Sequence, residues 1–159
     1  VGIDVDKKAI AHARANASEF EIPLSRAQFG VGDGQNIPFK NSDFNFVVST
    51  SVLRHVHHPV KMLNEVYRVL KKGGEAWIYD FCRDATDMEI NEHIMDVDDR
   101  LKRGKMNPTQ RSWVTLIMRR QISVESYSVA EITEIVSKSR FRSCRVERDG
   151  VRVKIILKK

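Results

Sequence analysis

Val1-Gly2-Ile3-Asp4-Val5-Asp6 and, further along, Phe29-Gly30-Val31-Gly32-Asp33-Gly34-Gln35 decide the fold of this chain. Each is a short run rich in Val, Ile or Phe that closes on an acid, Asp4 or Asp33. Both read as buried parallel strands, with an amphipathic helix between them. In open α/β sheets, ligands settle beyond the carboxyl ends of the strands. A carboxylate placed there only accepts hydrogen bonds, which suits hydroxyls or an exocyclic amine. The pair points to a nucleoside-bearing ligand.

Outward from these runs the elements alternate. Asp6 caps a helix expected over residues 7–20, with Ile10, Ala13, Ala17 and Phe20 on its buried stripe. A strand is expected at 27–32 and another at 44–49, the latter apolar enough to be buried on both faces. Pro59 opens a helix with Val60, Leu63, Val66, Tyr67 and Leu70 inward, stopped by Lys71-Lys72-Gly73-Gly74. A strand follows at 75–81. Thr86 with Glu89, and Ser128 with Glu131, are capping boxes ahead of Ile90, Ile94, Val97, Leu101 and of Ile132, Ile135, Val136. Asn107-Pro108 starts a helix carrying Trp113, Ile117 and Met118. Asp149-Gly150 divides two alternating runs, which predicts a hairpin with a type I′ turn. The order β-α-β-β-α-β, then helices, then a hairpin, is that of a layered α/β domain.

Bulk properties narrow the classes. At 159 residues and 42% hydrophobic content the chain suits one domain, residues 1–159, with a real core. No apolar run is long enough to span a membrane, and no membrane partner is expected. Cys82 and Cys144 form no disulfide framework or metal cluster, and a reducing cytoplasm is the default location. His55, His57 and His58 lack the carboxylate or Cys spacing that would complete a metal site, so no metal is expected. The chain starts inside a strand without an initiator Met and reads as a fragment. Net charge is +6, unevenly spread: residues 1–95 carry 11 Lys/Arg against 13 Asp/Glu, 96–120 carry 7 against 3, and 138–159 carry 9 against 2. That basic half leaves nucleic acid open as a partner, against the plainer reading of a solvated strand face.

Four stretches in order resemble a class I S-adenosylmethionine-dependent methyltransferase of the small "type 11" kind. They are Val1-Gly-Ile-Asp-Val-Asp6, Val31-Gly-Asp-Gly-Gln-Asn-Ile-Pro-Phe39, Phe44-Asn-Phe-Val-Val-Ser-Thr-Ser-Val-Leu-Arg-His-Val56 and Glu65-Val-Tyr-Arg-Val-Leu-Lys-Lys-Gly-Gly74. The resemblance implies a Rossmann-like methyltransferase sheet with a C-terminal antiparallel hairpin, lacking the family's first strand and glycine-rich loop. It implies S-adenosyl-L-methionine as cofactor. Asp4 would accept the ribose hydroxyls and Val5 would pack on adenine. Asp33 would accept from the adenine amine, with Gly34 and Gln35 at the ring edge. Ser49, Thr50 and Ser51 would run beneath the methionine part. Arg54 and His55 follow where substrate enters. Asn45 stands where the family has Asp.

The family's chemistry, in-line displacement on a sulfonium methyl, needs chiefly positioning, and a general base only for a protonated nucleophile. His55 and Asp80 are the candidates. Residues 84–126 are expected to form a helical lid, with Arg103 and its basic neighbours contacting an acceptor that is expected to be a small molecule. Two other readings remain at this stage: a non-catalytic scaffold domain, and a nicotinamide-dependent dehydrogenase, since an acid ending the second strand also serves adenosine there. The acceptor's identity and the oligomeric state are not written in the residues.

Overall fold

The computed structural model describes all 159 residues. Its elements in chain order are β1 (Gly2–Asp4), α1 (Lys7–Glu19), β2 (Phe29–Val31), β3 (Phe44–Thr50), α2 (Pro59–Val69), β4 (Leu70–Phe81), α3 (Asp87–Arg103), α4 (Pro108–Arg120), α5 (Val129–Ser137), β5 (Arg145–Asp149) and β6 (Arg152–Lys158). A 3-10 turn covers Leu53–His55 and a π-helical turn covers Gln121–Glu125. The alternating order read from the sequence is the order observed.

The strands make two sheets. β1 pairs with β2 in parallel, Asp4 opposite Val31. The other four run β3-β4-β6-β5, with β3 and β4 parallel and the remaining pairs antiparallel. β1 and β3 are therefore not ladder partners. Each is a terminal strand of its sheet, with one edge that pairs with no neighbouring strand. Burial differs from the reading in two places. The short parallel runs are less buried than their composition predicts, and β3, expected to be covered on both faces, leaves Phe46 47% and Val48 57% exposed.

The main core lies on the other face of the four-stranded sheet. Leu63 and Val66 of α2 and Ile132 and Val136 of α5 pack on Ile78 of β4 and on Val153, Ile155 and Leu157 of β6. A smaller cluster of Ile90, Ile122 and Val151 fastens α3 and the π turn to the hairpin. Both capping boxes form as read, with Thr86 and Ser128 accepting from the backbone of Glu89 and Glu131. Glu89 and Glu131 are held below the usual carboxylate range, chiefly by the backbone N–H groups of Thr86 and Ser128.

Three local expectations change. Phe20 does not close the α1 stripe but caps the helix and is 73% exposed, whereas Ile10 and Ala17 are buried. α2 ends at Val69, ahead of its basic residues, because Leu70 turns extended (φ −69, ψ 140) and the Lys71–Gly74 run enters β4. Gly74 is required there: a Cβ would stand 2.9 Å from the Lys71 carbonyl oxygen and 3.0 Å from that of Asn45. The hairpin turn is Gly150-Val151, between the paired Asp149 and Arg152. Only Gly150 has positive φ (53°), so the turn is not type I′, which needs positive φ at both central residues. Val151 is β-branched and buried, and it keeps to the ordinary side of the map.

Candidate active site

Asp4 and Asp33 occupy adjacent strand tips. Asp4 ends β1, and its carbonyl oxygen accepts from Gly32 N at 3.0 Å. Its Oδ1 accepts from Asp6 N at 2.8 Å, a local turn that fixes the side chain at the sheet edge. Asp33 lies two residues beyond β2. Its Oδ1 accepts from Gln35 N at 2.8 Å, and its carbonyl oxygen from Asn36 N at 2.9 Å. Both carboxylates thus stabilise their own turns while standing at the ligand end of the sheet. Asp6 caps α1 by accepting from Lys8 N, and Val5 is exposed beside them.

The loop after Asp33 is held from a distance. Gln35 Oε1 accepts from His58 N at 3.0 Å, which ties the loop to the start of α2. In the last turn of α2, Arg68 donates to the carbonyl oxygens of Phe39 (2.7 Å) and Ile37 (2.8 Å) and to Asn41 Oδ1 (3.0 Å). Glu65 receives Arg68 Nε at 2.8 Å and itself accepts from Ile37 N at 2.9 Å. The sequence reading missed this clamp. Its only local trace is the acid–base pair at i, i+3, which looks like any helix-surface pair.

The Arg68 hydrogen bond holds the Glu65 carboxyl below the usual range. A depressed acid stabilises the fold above its unfolded pKa, and that contribution is lost as pH falls through its folded value. Arg68→Gln is therefore expected to destabilise the protein by about 2 kcal/mol at neutral pH. It is also expected to shrink the loss of stability below about pH 4.5. Urea midpoints measured between neutral and acid pH read both effects.

At the tip of β3, Ser51 takes a left-handed conformation (φ 57°) while its N–H donates to Tyr79 O at 2.8 Å. Ser49 is the anomaly: its Oγ is buried and has no hydrogen-bond partner. An orphaned buried hydroxyl calls for a ligand group or water. Ser49 is one of the residues lining a groove of about 390 Å³ between β1 and β3. Asp4, Gly34, Ser49, Thr50 and Met62 all line that groove. Five other candidates, Val5, Asp33, Gln35, Ser51 and His55, border the same strand tips without lining it.

Arg54 and Asp80 meet. Asp80 lies on the core-facing side of β4, in register with Ala76 and Ile78, which buries its carboxylate. Arg54 comes from the 3-10 turn after β3. Its guanidinium donates to Asp80 Oδ1 and its backbone N–H to Oδ2 at 3.2 Å, with 6% and 3% of the two side chains exposed. Phe81 N also donates to Oδ1, at 2.8 Å, and the Arg54 guanidinium lies 5.0 Å from the Phe81 ring centre. Each group expected to act on substrate is thereby engaged with the other. Arg54 Nε is buried without a partner. His55, next in the chain, is exposed.

Arg103 is at the end of α3, exposed and away from the groove lining. The basic residues of the hairpin do not form one open surface. Arg145 and Lys154 pair with Glu147, Arg148 with Glu89, and Lys158 with Glu75. This is the solvated strand face, and it gives nucleic acid no support. Burial pushes the Cys82 and Cys144 thiols up, as expected of unreactive cysteines, and no cluster of candidate metal ligands forms. No helix is long and apolar enough to cross a membrane.

Residues 1–78 match the family model described as a methyltransferase domain. Over 81 residues the chain is 32% identical to a demethylmenaquinone methyltransferase of Protochlamydia amoebophila, covering 51% of this chain and 34% of that one. Over 97 residues it is 30% identical to the mitochondrial 2-methoxy-6-polyprenyl-1,4-benzoquinol methylase of Caenorhabditis elegans, covering 61% and 30%. The chain thus spans about a third of the length of these curated relatives. In fold it is similar to a SAM-dependent methyltransferase from Aquifex aeolicus, with a TM-score of 0.64 at 18% identity over 98% of this chain and 66% of that one. The dehydrogenase reading falls away before a family match that covers both acidic strand ends. Residues 1–78 are thus a methyltransferase domain of the class I S-adenosylmethionine-dependent kind, and the chain as a whole has that fold.

Proposed function

We propose that this domain transfers a methyl group from S-adenosylmethionine to a small hydroxylated aromatic acceptor of the quinol class. The observation that carries the reading is the groove between β1 and β3. It gathers an acceptor carboxylate (Asp4), a side-chain-free backbone (Gly34) and an orphaned buried hydroxyl (Ser49). These fit a ligand that offers ribose hydroxyls at one end and a polar amino-acid tail at the other. The acceptor class rests on the printed names of the quinone-ring methyltransferases to which the chain is similar.

In this reading Asp4 holds the ribose, Val5 lies on the adenine face, and Asp33 with Gly34 and Gln35 takes the adenine edge. Ser49, Thr50 and Ser51 take the methionine portion. The cofactor supplies a methyl already activated by its sulfonium. What remains for the protein is alignment, worth about 7–11 kcal/mol when the reacting atoms are held in attack geometry. A quinol hydroxyl needs its proton removed as the ring becomes nucleophilic. His55 is exposed in the turn that follows β3 and is the candidate base. Asp80 is occupied by Arg54 and serves to position the Arg54–His55 turn. Residues 84–126 form the acceptor lid, with Arg103 on its rim.

A second reading, a scaffold domain without catalysis, draws on the unpaired edges of β1 and β3. Calorimetric titration with S-adenosylhomocysteine separates the two. It should be run on this chain and on a version extended by any residues encoded upstream of Val1. Saturable one-to-one binding in either form supports the transferase, and methylation of a soluble quinol analogue then tests the acceptor. Absence of binding in both forms would leave the scaffold reading.

A further inference from the structure

α4 carries an apolar stripe on its outward side. Trp113, Leu116 and Ile117 fall at i, i+3 and i+4, which is one stripe of a helix. That stripe faces solvent: the three are 63%, 59% and 51% exposed, and Val124 in the following turn is 63% exposed. The opposite stripe turns inward. It carries Met118, packed on the Ile90–Ile122 cluster, and Arg111, whose Nε lies 3.6 Å from Asp98 of α3. The apolar stripe of α4 is therefore turned outward, its inward side is mixed, with Val114 and Met118 beside Arg111, and none of its residues is fully buried. All 159 residues are placed, and none covers this face.

Charge selects the occupant. Residues 100–124 hold seven Lys/Arg and no Asp or Glu. The acids of this region lie on α3 and at Glu125. They take up Arg100, Lys102, Arg111 and Arg120, and Arg119 donates to Asn91 of α3, which leaves Arg103 and Lys105 without a partner. An exposed stripe of Trp, Leu and Ile bordered by such cations is the composition of a helix that lies in the headgroup region of a bilayer. There its aromatic and aliphatic side chains enter the acyl boundary and its cations meet phosphates. A second copy of the chain fits less well, because apposing two such faces would bring like charges together.

We propose that the outward face of α4 seats this domain on an anionic lipid surface as a peripheral contact, without a membrane span. The contact does not depend on the methyl-transfer reading and is tested without cofactor. The 159-residue chain is mixed with vesicles of phosphatidylcholine alone and with vesicles containing about 30% phosphatidylglycerol, and bound protein is sedimented. Binding to the anionic vesicles is expected, with weaker binding at high salt and a blue shift of tryptophan emission that Trp113→Phe abolishes. Leu116→Ser with Ile117→Ser alters only exposed positions. It is expected to weaken vesicle binding about tenfold or more while the circular dichroism spectrum and urea midpoint stay unchanged. Arg103→Gln with Lys105→Gln is expected to weaken binding to anionic vesicles alone. Equal binding to both vesicle types, or anionic binding that survives the double serine change, overturns the proposal. So does concentration-dependent dimerisation in sedimentation velocity without vesicle binding, which would assign the face to a second copy.

Discussion

Arg54→Met is expected to lower the unfolding free energy by about 3–5 kcal/mol, the usual result of stripping one partner from a buried ion pair. The magnitude follows from where the pair sits. Asp80 is on the core face of β4, only 3% of its side chain is exposed, and its carboxylate has two backbone donors besides the guanidinium. Those N–H groups soften a stranded negative charge but do not neutralise it. Arg54→Met with Asp80→Leu removes both charges and is expected to recover much of the loss, because two apolar side chains of similar size have no desolvation to offset. Urea unfolding of wild type, both single variants and the double variant gives the coupling directly. A loss below about 1 kcal/mol for Arg54→Met would mean that solvent screens the pair and that its enclosure is not energetic.

Asp4→Ala is expected to weaken S-adenosylhomocysteine binding about a hundredfold or more in whichever form of the chain binds it. Two hydroxyl donors to one carboxylate are worth about 1.5–3 kcal/mol each. Stability should hardly move, since Asp4 is exposed and its single internal hydrogen bond, from Asp6 N, is local. Asp4→Asn keeps an oxygen for that N–H and discards the charge, so it is expected to fall between alanine and wild type. Calorimetric affinities set beside urea midpoints separate the effect on the ligand from any effect on the fold. An unchanged affinity in Asp4→Ala would remove the ribose contact on which the cofactor orientation depends.

The legible features were those written in local chemistry. Asp6, Thr86, Asn107 and Ser128 cap helices because a short polar side chain next to an apolar period has one effective use, satisfying the first free N–H groups. Val153, Ile155 and Leu157 alternate, and in β6 they all face the core. The site was legible in part for the same reason: acids at the ends of two apolar runs fall at a sheet's ligand edge wherever those runs are parallel strands. What failed were inferences that needed a neighbour. Composition made β3 look covered on both faces, yet Phe46 and Val48 stand open because they lie on the face of the sheet opposite the main core. Gly150 suggested a turn type, but Val151, needed in the small cluster, decided the geometry.

By itself the sequence determined the element order, the capped helices, Leu63 and Val66 on the core-facing stripe of α2 and the placing of Asp4 and Asp33 at strand ends, because each depends on residues within a few positions of one another. The tertiary structure alone decided that Asp80 is spent on Arg54, that Arg68 clamps the loop beyond Asp33, and that α4 turns Trp113, Leu116 and Ile117 outward. Those outcomes join residues 26 or more positions apart, or depend on which face of a helix meets the rest of the protein. No local period encodes them, since the partner that satisfies a charge or covers a face exists only once the chain has folded back on itself.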